Sequence, residues 1–202
     1  MPRLALTFDD GPDPRGTPAV LEALARAGAS ATFFVLGERA AEHPSLLAEI
    51  RADGHDVQLH GFAHLRHRDC DRALVAADLQ RALGALGAVG IAPSRWRVPW
   101  GMLAPFSAEL AAASGLTLTG WTLDTRDWDG GSAKALLGRV VRGLAGGGVV
   151  LAHDGVGPGA LREDAAATAA FVGPLVRAAR RRGLEPGPLT ADWPVRPDNP
   201  DA

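Results

Sequence analysis

Three groups of residues in this sequence have the types and spacing that chemistry needs. The first is Asp9-Asp10-Gly11, two adjacent carboxylates at the end of a short apolar run, Leu6-Thr7-Phe8. Two negative charges side by side in a buried site are costly unless a cation or a positive side chain shares it. The second is His60 and His64, four apart in His60-Gly61-Phe62-Ala63-His64. On a helix or tight loop that spacing puts two imidazoles on one side, as a metal site requires. By itself the pair also fits ordinary surface or core histidines. Two histidines and one aspartate, however, form a common facial set for a divalent metal, with Asp10 the natural third ligand. Asp9 is then a carboxylate beside the metal, placed to act as general base. The third is His153-Asp154-Gly155, at the end of the most apolar run in the chain. A histidine there can protonate a leaving group.

Other residues fit around these three. Asp124 and Asp127 lie three apart, and either could orient His153 through its second ring nitrogen. Arg97 is a cation at the end of a short strand, where it could pair with Asp9 and fix its geometry. Gly101 after Pro99-Trp100 favours a sharp turn with a bare N–H that could stabilise an oxyanion. Trp100, Trp128 and Phe62 are flat apolar walls suited to a sugar ring, or else plain core packing. His67, between Arg66 and Arg68, reads as solvated; Cys70 reads as a small buried or bystander residue, and Asp13 as a loop-capping Asx turn.

Placing residues spread over 145 positions in one pocket requires a particular scaffold. Strand-like and helical segments alternate six or seven times, which implies a single-domain βα architecture with a mainly parallel sheet. Strands are expected at 3–8, 31–36, 56–59, 96–98, 116–121 and 148–152. Helices are expected at 18–27 with Thr17 as N-cap, in two short pieces ending at Gly54, and at 71–86 with Leu74, Val75, Leu79, Leu83 and Leu86 along one side. More are expected at 105–113, at 133–144 and at 161–182, the last kinked or broken at Pro174. Segment 184–202 reads as an irregular cap. Asp9, Asp10, His60, Arg97, Asp124 and His153 each follow an apolar run, and in a barrel of parallel strands such ends share one rim.

Composition excludes several classes. The 202 residues carry a net charge of -2, from 21 basic and 23 acidic residues with no charge block, so nothing supports nucleic-acid or anionic-membrane binding. The single cysteine, Cys70, excludes an internal disulfide and a four-cysteine zinc site. No run of 18 apolar residues and no apolar leader occurs, so a cytoplasmic protein is expected, or an extracellular one if the chain is a processed form.

The sequence resembles the NodB-like polysaccharide deacetylases, carbohydrate esterase family 4, over nearly its whole length and in five ordered motifs. These are Thr7-Phe8-Asp9-Asp10-Gly11, His60-Gly61-Phe62-Ala63-His64, Arg97-Val98-Pro99-Trp100-Gly101, Asp124-Thr125-Arg126-Asp127-Trp128 and Leu151-Ala152-His153. Ala31 to Val35 and Gly54 to Val57 also look like family segments. Gly61 stands where the family commonly has Ser or Thr, and Trp100 where it commonly has Tyr.

The resemblance implies a distorted (β/α) barrel of about seven parallel strands and metal-dependent removal of an N-acetyl group from an amino sugar, with release of acetate. It implies a divalent metal on Asp10, His60 and His64: zinc first, with cobalt, manganese or nickel as alternatives. Asp9 becomes the base, Arg97 its brace, and the backbone N–H of Trp100 part of the oxyanion hole. His153 becomes the acid, oriented by Asp127, while Trp100, Trp128, Phe62 and Asp124 contact substrate. The expected substrate is an N-acetylated oligosaccharide or small glycoside, and a monomer is expected. The alternatives are a hydrolase of non-sugar amides or imides on the same barrel, and an inactive carbohydrate-binding homologue.

Overall fold

Strand β1 (Arg3–Asp9) is the axis of the molecule. In the computed structural model, which describes residues 2–190 and 193, it is buried from Leu4 onward and flanked on both sides. Runs of this kind, apolar without alternation, belong to parallel sheets covered on both faces. The other strands are β2 (Thr32–Leu36), β3 (Asp56–Gly61), β4 (Arg95–Trp96), β5 (Thr117–Leu118), β6 (Leu123–Asp124), β7 (Gly148–His153) and β8 (Glu185–Gly187). Seven of them follow the order β5-β4-β3-β2-β1-β7-β6, all parallel. The two edge strands, β5 and β6, are consecutive in sequence and joined by residues 119–122 alone, so the sheet curls into an incomplete barrel. Its helices are α1 (Thr17–Ala27), α2 (Gly37–Glu42), α3 (Pro44–Ala52), α4 (Arg72–Ala88), α5 (Ser107–Ala113), α6 (Ala133–Val140) and α7 (Ala166–Arg180).

The apolar stripes seat the helices. In α1, Val20, Leu21 and Leu24 are buried, and Gly28 ends the helix in a left-handed conformation, φ 58°. Asp71 caps α4 by accepting the Leu74 N–H at 2.8 Å. One core cluster joins β1, β2, β3 and β7 to α1, α3, α4 and α7 through residues such as Leu6, Phe33, Leu59, Leu79 and Phe171. A smaller cluster inside the barrel contains Ala5, Phe34, Trp121, Val149, Leu151 and Leu189. Among the described residues no helix is long and apolar enough to cross a membrane.

Several elements differ from expectation. Segment 184–202 is not wholly irregular: Glu185–Gly187 pairs with Arg3–Ala5 of β1, below the point where β2 takes over at Thr7. Residues 191, 192 and 194–202 of that segment lie outside the described residues. The expected strand over 116–121 shrinks to Thr117–Leu118, and β6 appears where no strand was expected. Two-residue strands have too short a pattern for periodicity to register. Helix α7 starts at Ala166 rather than 161, because Arg162 and Asp164 turn the chain first, and it runs through Pro174. Thr17 is the first residue of α1, not its cap; its hydroxyl donates to Asp154 instead. Leu74 is half exposed, on the outer side of α4.

Candidate active site

Because every strand is parallel, the C-terminal ends of β1, β3, β4, β6 and β7 meet at one rim. There they surround a cavity of about 530 Å³, lined by Asp9, Asp10, His60, His64, Trp100, Trp121, Asp124, Trp128, Leu151 and His153 among others.

Asp10 turns out of β1 with φ 73°. Its Oδ1 lies 3.3 Å from Nε2 of His60 and 3.2 Å from Nε2 of His64, and one donor atom from each residue falls within 4.8 Å of the others. The tautomer of His60 follows from its other nitrogen. Nδ1 sits 2.8 Å from the carbonyl oxygen of Arg97, which can only accept, so Nδ1 carries the proton and Nε2 presents a lone pair to Asp10. Asp10 Oδ1 is buried without a hydrogen-bond donor. Converging lone pairs around a buried carboxylate oxygen fit a divalent cation.

Asp9 ends β1 in register with His153 of β7. Its Oδ1 accepts from Arg97 Nη1 at 2.7 Å. Arg97 is fully buried and donates also to the Thr7 hydroxyl at 2.8 Å and to the carbonyls of Gly120 and Thr119, with Phe34 stacked 4.0 Å away. It thus ties the base of the site to the connector between the two edge strands. Burial lowers its pKa against the opposing pull of Asp9.

His153 closes β7, and its Nδ1 lies 2.6 Å from Asp127 Oδ1. Asp127 Oδ2 accepts the His153 backbone N–H at 2.9 Å and the Thr168 hydroxyl at 2.6 Å. The two groups shift apart. Burial would push the imidazole down, but Asp127, with Asp10 and Asp9 behind it, raises it to about 9. Burial would push Asp127 up, but His153, Arg162 and Thr168 bring it to about 2. Asp127, rather than Asp124, is therefore the partner of His153. Asp124 lies at the cavity, raised by burial, and its Oδ1 accepts the Arg126 N–H.

Trp100 and Gly101 are consecutive left-handed residues, φ 63° and 65°. Only glycine fits the second, since a Cβ there would meet the Trp121 ring at 2.6 Å. The Trp100 indole donates to the His64 carbonyl at 3.4 Å, and Arg66 lies 3.9 Å over its face. Trp128 lines the cavity too. Phe62, expected to contact substrate, is not among the residues that line the cavity; Arg81 lies 3.8 Å over its ring. His67 is likewise buried rather than solvated, paired with the Ser107 hydroxyl at 2.9 Å and lowered by burial to about 4. Cys70 is a free, partly buried thiol outside the site.

Three supporting residues escaped the sequence reading. Asp78 of α4 accepts the N–H groups of Phe62 and Ala63, both at 2.9 Å, and so fastens the loop between the two histidines. Gly61, with φ 133°, leaves room for that carboxylate. Its signal was a carboxylate on the buried stripe of α4, between Val75 and Ala82. Asp154, fully buried, links Thr17 of α1 to the β7 end, and burial raises it to about 7. Arg162 packs under His153.

A polysaccharide deacetylase family profile matches residues 1–119. The chain belongs to the polysaccharide deacetylase family. It is 34% identical over 191 residues to a chitooligosaccharide deacetylase of Bradyrhizobium sp. (strain ANU 289), covering 91% of this chain and 87% of the relative. It is 33% identical over 153 residues to the peptidoglycan-N-acetylglucosamine deacetylase PgdA of Listeria monocytogenes, covering 75% of this chain and 32% of that longer protein. The fold superposes with TM-score 0.80 on a family 4 carbohydrate esterase from Streptomyces lividans, at 30% identity and 92% coverage of both chains. The barrel is therefore of the kind this deacetylase family uses, and its five motifs converge on one rim.

Proposed function

We propose that this chain is a metal-dependent N-deacetylase of N-acetylated amino sugars, releasing acetate. One observation carries the reading: a cation-ready Asp10–His60–His64 set, an arginine-braced carboxylate at Asp9 and an aspartate-bound imidazole at His153 face the same cavity. Relatives named as chitooligosaccharide and peptidoglycan N-acetylglucosamine deacetylases support the substrate class. Asp10, His60 and His64 would hold a divalent cation, with zinc favoured by the nitrogen-rich ligands, and that ion would supply Lewis-acid polarisation of the amide and acidify water.

The protein's own groups do the rest. Asp9 takes a proton from the attacking water through Oδ2, since Arg97 engages Oδ1. The Trp100 backbone N–H makes no hydrogen bond within the described protein and is a donor for the developing oxyanion. His153, its Nδ1 fixed by Asp127, donates from Nε2 to the departing amine. Trp100 and Trp128 offer indole surfaces to the sugar.

The test is acetate release from chitooligosaccharides of different length, with metal measured in the same preparation and Asp9→Asn as control. The wild type should release acetate while the variant keeps its metal and turns over at least about 10³-fold more slowly. Turnover by the variant near the wild-type rate would reject Asp9 as base. No acetate from any N-acetyl sugar by the metal-loaded wild type would reject the function.

A further inference from the structure

Arg162 belongs to none of the five motifs, yet its guanidinium makes four hydrogen bonds under the site. It sits in the loop between β7 and α7, with its side chain 9% exposed. Nη2 donates to the carbonyls of His153 and Gly155, both at 2.8 Å, and lies 3.7 Å from Asp127 Oδ2. Nη1 donates to the Asp164 carbonyl at 3.0 Å and to the Thr168 hydroxyl at 3.1 Å. A hydroxyl has one proton. With Arg162 supplying a donor to its oxygen, Thr168 is turned to donate to Asp127 Oδ2. That oxygen also takes the His153 N–H, which leaves Oδ1 for the imidazole.

We infer that Arg162 is a positioning residue: its guanidinium fixes the Asp127–His153 pair and the backbone behind it in one orientation. The purpose of that orientation rests on the deacetylase reading above. Stability alone does not account for an arginine here. A buried guanidinium is costly, and replacing buried ionic groups by apolar side chains of similar volume is often neutral or stabilising. Arg162 Nε, moreover, is buried with no partner. The same residue anchors the wall of the cavity. Gly155, whose carbonyl it holds, begins the loop whose Gly157 lies against Asp10 and whose Gly159 lies against the Trp100 ring.

Charged groups reach His153 from several elements: Asp9 from the end of β1 and Asp10 just beyond it, Asp124 from β6, Asp127 from the turn after it, and Arg162 from the β7–α7 loop. Arg162 is the cation among them. Removing it favours the imidazolium, so the alkaline limb of activity moves to higher pH even as turnover falls.

The experiment compares the wild type with Arg162→Met and Arg162→Lys, all metal-loaded. It records the His153 Nδ1 proton by NMR on ¹⁵N-histidine-labelled protein and acetate release against pH. The short bond to Asp127 should give the wild type a resonance downfield of the amides. Arg162→Met should lose or shift it, lower kcat by about 10–100-fold with KM within about twofold, and raise the alkaline limb. Arg162→Lys should restore the limb but not the full kcat, because an ammonium cannot span both carbonyls and Thr168 in the planar fork. An unmoved resonance with kcat within about twofold in Arg162→Met overturns the inference. So does a lower kcat that tracks lost thermal stability with resonance and limb unchanged. If Arg162→Met does not fold, Arg162→Lys decides: wild-type kcat or an unmoved resonance overturns the inference, and a lowered kcat with a shifted or lost resonance supports it. If the wild type releases no acetate, the functional reading fails, and the resonance comparison still decides the positioning role.

Discussion

Replacing Asp127 with Asn should cripple the enzyme mainly by discharging His153. The imidazole is raised from 6.5 to about 9, with Asp127 the chief force opposing burial. At about 1.36 kcal/mol per pH unit that displacement corresponds to roughly 3 kcal/mol of preference for the imidazolium. Without the carboxylate, burial is opposed only by the more distant Asp9 and Asp10, and the alkaline limb should fall by about 2 pH units. At pH 8 the protonated fraction then drops from about nine in ten to about one in ten. The Asn amide also presents N–H groups to the His153 N–H and the Thr168 hydroxyl, so the ring loses its fixed orientation. Together these should cost about 10²–10³-fold in kcat near pH 8. A bound dication lowers the limb in both proteins, so the difference between them at equal metal loading is the quantity to measure. The assay is acetate release from pH 5 to 10, with metal content determined for each sample. A limb within about half a pH unit of wild type, with kcat within about threefold, would refute this account of His153.

Other perturbations probe the remaining supports. Arg97→Met leaves Asp9 as a buried charge without its partner and should lower the unfolding free energy by about 3–5 kcal/mol; an unchanged urea midpoint would show that Asp9 does not depend on it. Gly157→Ala places a methyl group on Asp10 Oδ2, so metal affinity should fall at least about tenfold by titration calorimetry, whereas Gly84→Ala, facing open space on α4, should leave it unchanged. In metal-free protein the raised imidazole contributes stability that is fully present below its unfolded pKa of 6.5 and is lost as pH rises through about 9. Thermal unfolding midpoints should therefore fall between pH 7 and 9.5, and this fall should be much smaller in Asp127→Asn.

The sequence by itself determined the chemistry and the order of the scaffold. Residue types at Asp9-Asp10, His60/His64 and His153 already offer a candidate base, metal set and acid, and apolar runs ending in those residues place them at parallel strand ends, because a buried parallel strand must be apolar until it leaves the sheet. The long strands β1, β2 and β7 and the amphipathic α1 and α4 were legible for the same reason. Tertiary structure decided what local pattern cannot encode. Whether Asp124 or Asp127 holds His153 depends on which carboxylate the short β6 and the turn after it carry against β7. Whether Phe62 or Trp100 faces the cavity depends on Asp78 pulling the histidine loop onto α4. Arg162 reads locally as a residue in the first turn of a helix, and only the packing of that segment beneath β7 brings it to His153. Buried polar groups must find partners, and those partners come from whichever segment folding brings alongside.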